Sequence, residues 1–153
     1  MKHPNSHIAH CVLCVLVCFA AVQCKPKPEP VAEHSRPAWA VPDSIDMESS
    51  MTITGILPSD LYSSADTTDI VAAFWDNQCC GITHIQFVAG TPYFFLYLTR
   101  PFAATDTTHP ITLRYYSTQT RHIYVTADAF TFVIDAILGT MDEPFVPAFR
   151  TTE

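Results

Sequence analysis

Ile111-Thr112-Leu113-Arg114-Tyr115-Tyr116-Ser117 decides the fold. Ile111, Leu113 and Tyr115 fall on one side of an extended chain and Thr112 and Arg114 on the other, the two-residue period of a β-strand with one wet face. Working outward, residues 50–57, 70–76, 79–86, 93–99, 122–127 and 130–134 are further short runs dense in β-branched and aromatic residues, separated by Asp, Asn, Ser, Thr and Pro. That is the pattern of strands joined by turns. Asp76-Asn77-Gln78 reads as a hairpin connection in which Asn takes the left-handed conformation, and Gly90-Thr91-Pro92 separates the next pair. Tyr93-Phe94-Phe95-Leu96-Tyr97-Leu98 has no polar alternation, so both of its faces are expected to be covered. Residues 58–69 lack periodicity and read as a surface loop with an Asp-rich end. About seven strands and no helical pattern predict an all-β fold, an antiparallel β-sandwich of the immunoglobulin-like or jelly-roll-like kind, with a partly closed barrel as the alternative.

The whole chain has 153 residues, a formal charge of −7, 48% hydrophobic residues, twelve prolines and only four glycines. It is long enough for one domain with a real core, and its composition excludes a coiled coil, a collagen and a highly charged disordered chain. From Trp39 onward four arginines face thirteen acids and there is no lysine, a balance that repels phosphate polymers, so no nucleic-acid partner is expected.

Before the strands lies a different kind of sequence. Residues 11–22, CVLCVLVCFAAV, are apolar and uncharged, too short to span a bilayer and the right length for the core of an export signal. The run ends at Cys24, and residues 24–42, CKPKPEPVAEHSRPAWAVP, form a proline-rich tether. Extended polyproline at about 3.1 Å per residue would hold a domain about 45 Å from a membrane. A cysteine at this place resembles the lipidation site of a bacterial lipoprotein, although Gln23 stands where a small residue is usual; plain cleavage near Ala20 or Ala21, giving a secreted protein, or an uncleaved anchor are the alternatives. The expected organisation is therefore a signal peptide over 1–23, a tether over 24–42 with Cys24 lipidated, and a β-sandwich over 43–153, with Trp39 docking the end of the tether. Acyl chains contribute about 0.8 kcal/mol per buried CH₂, enough to anchor such a domain without a spanning helix.

The order Ser50-Met-Thr-Ile-Thr-Gly, Asp69-Ile-Val-Ala-Ala-Phe, Cys79-Cys-Gly-Ile, Tyr93-Phe-Phe-Leu, Ile111-Thr-Leu-Arg-Tyr-Tyr, then residues 132–135 and Gly139-Thr140 to Pro144, resembles an uncharacterised β-sandwich module of exported, surface and lipidated proteins of Bacteroidota. The resemblance covers about residues 48–149 and implies a fold and a cell-envelope location, with no catalytic residues attached. In that family an arginine usually follows the first cysteine, as Cys-Arg-Gly; here the position is Cys80.

Candidate chemistry is sparse. Cys79 and Cys80, adjacent in a strand, point to opposite faces, so they are expected as free thiols, one facing in and one out. His84, His109 and His122 lack the spacing of a zinc site. Asp60, Asp66, Asp69 and Asp76 offer hard oxygens that calcium would take, Asp66, Asp69 and Asp76 being the metal candidates, against the plainer role of capping turns. With no nucleophile elbow, phosphate loop or paired carboxylates at a known separation, no enzymatic activity and no required cofactor are expected. The aromatics Trp75, Tyr93, Tyr97, Tyr115, Tyr116 and Tyr124 on strands are the lead for binding: Trp75, Tyr97, Tyr116 and Tyr124 are the candidates for contact with a protein or glycan, Tyr116 being the one expected nearest the surface. The expected function is that of a non-enzymatic lipoprotein of the cell envelope, outer membrane included, held by its lipid and carrying a binding module. A small exported hydrolase and an assembly subunit of a surface complex are the alternatives.

Overall fold

The computed structural model describes residues 30–43, 45–101 and 110–152, with residues 45–48, 100 and 101 described by their backbone. The expected export signal, Cys24 and the start of the expected tether (residues 1–29), together with His109, lie outside the described residues. Chain contacts divide the protein after Pro30, and the unit beginning at Val31 is a β-sandwich. Its strands are β1 (Ile45–Ile56), β2 (Ile70–Trp75), β3 (Gln78–His84), β4 (Gln86–Val88), β5 (Thr91–Pro101), β6 (Pro110–Tyr116), β7 (Ile123–Thr126), β8 (Phe130–Thr131), β9 (Ile137–Leu138) and β10 (Phe149–Thr151), with one 3₁₀ turn over Ser59–Ser64. The first sheet runs β4-β5-β1-β9; the second runs β10-β7-β6-β2-β3, with β8 also paired to β6. Every named pair is antiparallel except β1 with β9.

The alternation in β6 is realised as read: Ile111, Leu113 and Tyr115 are buried, while Thr112 and Arg114 are only partly covered. Inward residues of both sheets meet in one core, with Met51 and Ile53 from β1, Phe94, Leu96 and Leu98 from β5, Val71, Ala73 and Trp75 from β2, and Phe132 beside them. At about 25 cal/mol per Å² of apolar surface, this shared interior is what holds the two sheets together.

The sequence reading has residues 79–86 as one strand. In the structure the chain bends at the buried Ile85, leaves the second sheet at His84 and enters the first at Gln86. The sandwich is thus closed along this edge by a strand that serves both sheets, a corner that two-residue periodicity does not distinguish from a straight strand. A Cβ added to Gly81 would lie 2.5 Å from the Tyr97 carbonyl oxygen, so β3 can approach β5 this closely only with glycine there. Beside it the Thr99 hydroxyl donates to the Cys80 carbonyl (3.4 Å).

Two turns follow their own chemistry. In the β2–β3 hairpin it is Asp76, not Asn77, that takes the left-handed conformation (φ 55°). The β4–β5 hairpin turns on Ala89 and Gly90, both with positive φ (49° and 83°), the signs that match the strand twist of a two-residue loop. The short strands β9 and β10 lie beyond the sequence reading, because two or three residues cannot display a period.

The proline-rich segment is packed over residues 33–41. The His34 amide donates to the Arg121 carbonyl (2.7 Å), Tyr116 Oη donates to the His34 carbonyl (3.4 Å), and Glu33 pairs with Arg121 (3.2 Å). Trp39 sets its edge against Phe74 (centroids 5.5 Å apart, 79°), as expected of a docking residue, and with Val41 it covers Ala72, Phe74 and Cys79. This strap closes part of the outer face of the second sheet.

Candidate binding face

β5 contradicts the expectation that both of its faces are covered. Phe94, Leu96 and Leu98 point into the core, while Phe95 (37% exposed) and Tyr97 (48%) stand in solvent on the outer face of the first sheet with Tyr93 beside them. The Tyr93 and Phe95 rings are parallel within 6°, with centroids 6.0 Å apart, and Tyr93 Oη donates to the Met141 carbonyl (3.4 Å). Directly across on β1 lie Ile56, Thr54 and Thr52, and Gln86 of β4 is opposite Tyr93. Cross-strand partners share a face, so these residues widen the row into a surface of aromatic rings, hydroxyls and one amide, without a charged side chain. Ile137 of β9, opposite Thr52 and 73% exposed, extends it. Phe87, Val88 and Met141 are exposed as well.

Of the four aromatic candidates, only Tyr97 belongs to this surface. Trp75 is buried in the core against Phe132 (centroids 5.7 Å). Tyr116, expected near the surface, is 4% exposed because the strap crosses the outer face on which it stands. Tyr124 is half-buried, stacked on Tyr115 at 5.5 Å. Tyr93 is among the strand aromatics that the sequence offers as a lead for binding, whereas Phe95 and Ile137 are not singled out. The signal that could have found Phe95 is the period of two itself, which makes every second aromatic of an apolar run face away from the core unless something covers it.

The acidic candidates are separated. Asp69 is fully buried, and its carboxylate accepts four hydrogen bonds: Tyr115 Oη at 2.6 Å and the Asp66 amide at 2.9 Å on Oδ2, and the Thr118 amide at 2.8 Å and hydroxyl at 2.7 Å on Oδ1. These four donors occupy the positions a cation would need. Burial first, and then the bond to Asp69, push the Tyr115 hydroxyl above its ordinary pKa and keep it a donor. Asp66 accepts from the Thr68 hydroxyl (2.7 Å) and amide (2.8 Å), which hold its carboxyl below the ordinary carboxylate range. Both acids therefore organise the loop before β2. Asp76 sits at the opposite end of β2, in the hairpin. An open polar groove of about 430 Å³, lined by Ser63, Ala65, Asp66, Thr68, Thr118 and Gln119, lies beside this loop.

His84 donates from Nδ1 to the Asp69 carbonyl (2.9 Å), His122 lies edge-on to Tyr124, and no three metal-ligating side chains converge among the described residues. Cys79 and Cys80 occupy opposite faces, as expected, but both are buried. Phe74 pairs with Cys79 and Ala73 with Gly81, so Cys80 is the extra residue of a bulge that aims its thiol into the core. Cys79 faces outward, and the strap covers it. Comparison with protein-family models, curated proteins and solved structures finds no match to this chain.

Proposed function

We propose that the protein is a non-enzymatic binding module of a Bacteroidota-like cell envelope, exported, anchored through a lipid on Cys24, and presenting the outer face of its first sheet to a protein or glycan. The observation that carries this reading is the solvent-facing row Tyr93, Phe95 and Tyr97 on a sandwich whose opposite sheet is partly closed by the protein's own strap. Aromatic rings desolvate a large area at little conformational cost, which is why they dominate the energetics of interfaces. A hydrolase is less well supported, because in the polar groove Asp66 is the one acid on the lining and the nearby Asp69 is saturated with donors. An assembly subunit that recruits strands is also less well supported: the sheet-edge strands β4, β9 and β10 have two or three residues, and the longer edge strand β3 is drawn against β5 at Gly81 and bends into the first sheet after His84.

The test is a photo-crosslinking side chain placed at Tyr97 in cells, with Thr131 on the second sheet as the control position. Adducts at position 97 that are absent at 131, sensitive either to protease or to glycosidase, are expected. No adduct at 97, or equal adducts at both, overturns the reading. Anchoring is checked separately by fatty-acid labelling, which Cys24→Ala should abolish.

A further inference from the structure

We infer that the outer face of the first sheet takes an arginine-bearing, basic segment of a partner protein; the inference rests on the proposed function and names the chemistry of its partner. The described charges are unevenly distributed between the two sheets. The cations with described side chains, Arg36, Arg114, Arg121 and Arg150, stand on the strap, on β6 and β10, and in the turn before β7, all at the second sheet. On the first-sheet side Arg100 of β5 is described by its backbone, opposite Asp46, and the charges with described side chains are acids. Asp135 precedes β9, and its amide donates to the Ser50 carbonyl of β1 (2.8 Å). Asp142 and Glu143 follow Met141, whose carbonyl takes the Tyr93 hydroxyl. All three acids are exposed, and none forms an ion pair among the described residues.

A flat aromatic row bordered on its β9 side by unpaired carboxylates matches a guanidinium more closely than other partners. Its planar cation stacks on Phe and Tyr faces and reaches carboxylates with its N–H groups. The second sheet already uses this chemistry internally, where the Arg114 guanidinium lies 4.0 Å over the Phe74 ring. A second copy of the chain is a poor occupant. Each copy is net acidic, and of its four described arginines two are already engaged, Arg114 over Phe74 and Arg121 with Glu33, while Arg36 and Arg150 stand singly on the strap and on β10 rather than in one basic segment. A neutral glycan would use the rings and threonines but leave the carboxylate border without a counterpart.

The test is a titration of the full mature chain, followed by NMR, with an unstructured peptide of arginines spaced by glycine and serine. Its lysine counterpart and a neutral soluble β-glucan are run in parallel, and the protein alone is diluted as a check on self-association. The arginine peptide should shift the resonances of Phe95, Tyr97 and Ile137, bind more tightly than the lysine peptide, and weaken as salt rises towards physiological strength. Tyr97→Ala should weaken it about tenfold, a loss of about 1.4 kcal/mol. The combined variant Asp135→Asn, Asp142→Asn and Glu143→Gln should remove most of the salt dependence while leaving the aromatic shifts. Shifts on this face from the β-glucan and not from the arginine peptide would overturn the inference while leaving the proposed function standing. Shifts on dilution of the protein alone, or arginine-peptide shifts confined to the second sheet, would overturn it as well, as would silence from every probe.

Discussion

Cys80 should set the domain's stability in alkali. Burial, and after it the neighbouring Cys79, pushes its thiol from 9.0 up to about 12. The folded state therefore keeps a proton that the unfolded chain gives up, so the stabilisation is complete below pH 9 and is lost as pH rises towards 12. Within that window the unfolding free energy should fall by up to about 1.4 kcal/mol per pH unit on this account alone, and Cys80→Ala should flatten the slope in urea titrations at stepped pH. Asp69 makes a second prediction. Tyr115→Phe removes one of its four donors inside the protein and should cost about 1–3 kcal/mol, whereas Tyr97→Ala, at the surface, should cost under about 1 kcal/mol. Denaturation midpoints of the two variants separate a structural tyrosine from one free to bind. The sequence places both tyrosines on strands, Tyr115 in an alternating run and Tyr97 in an unbroken apolar one. What tells them apart is the partner across the sheet and the loop that meets it, and neither is local in the chain.

At the scale of elements, the strap and the corner strand carry the consequences. Residues 33–41 look from the sequence like an extended linker because prolines remove periodicity, yet Trp39 and Val41 give the segment enough apolar surface to settle on Phe74 and Cys79. Burial pushes the Cys79 thiol up, and the strap is part of that burial. Trp39→Ala should therefore speed modification of Cys79 by a thiol reagent several-fold while Cys80 stays unreactive, at a stability cost of about 1–2 kcal/mol. Equal rates in the variant and the parent would mean that the strap does not shield the thiol. Gly81→Ala should destabilise by about 1–3 kcal/mol, since its Cβ meets the Tyr97 carbonyl where the corner draws β3 against β5. The sequence identifies the strands of the second sheet from their alternation. It misses the bend at Ile85 and the exposure of β5 because an apolar run reads the same whether its second face is covered by protein or by water.

At the scale of the whole molecule, the two outer faces of the sandwich are unlike each other. One carries the docked strap and the described cations; the other carries an aromatic row bordered by acids and has no internal cover among the described residues. The all-β sandwich is legible in the sequence, because strand-length runs at regular spacing leave two half-apolar sheets no other way to bury their faces. The candidate face is legible in the sequence only through Tyr93 and Tyr97, since the rest of it is assembled by pairing β5 with β1 and β1 with β9 across more than 80 residues of chain. The most direct measurement is covalent footprinting of Tyr93, Phe95, Tyr97 and Ile137, compared between the purified mature chain and intact cells. Strong labelling in solution and protection on cells, with Trp39, Phe74 and Tyr116 weakly labelled in both, is the predicted result. Equal labelling of the aromatic row in the two settings would contradict the claim that this face meets a partner.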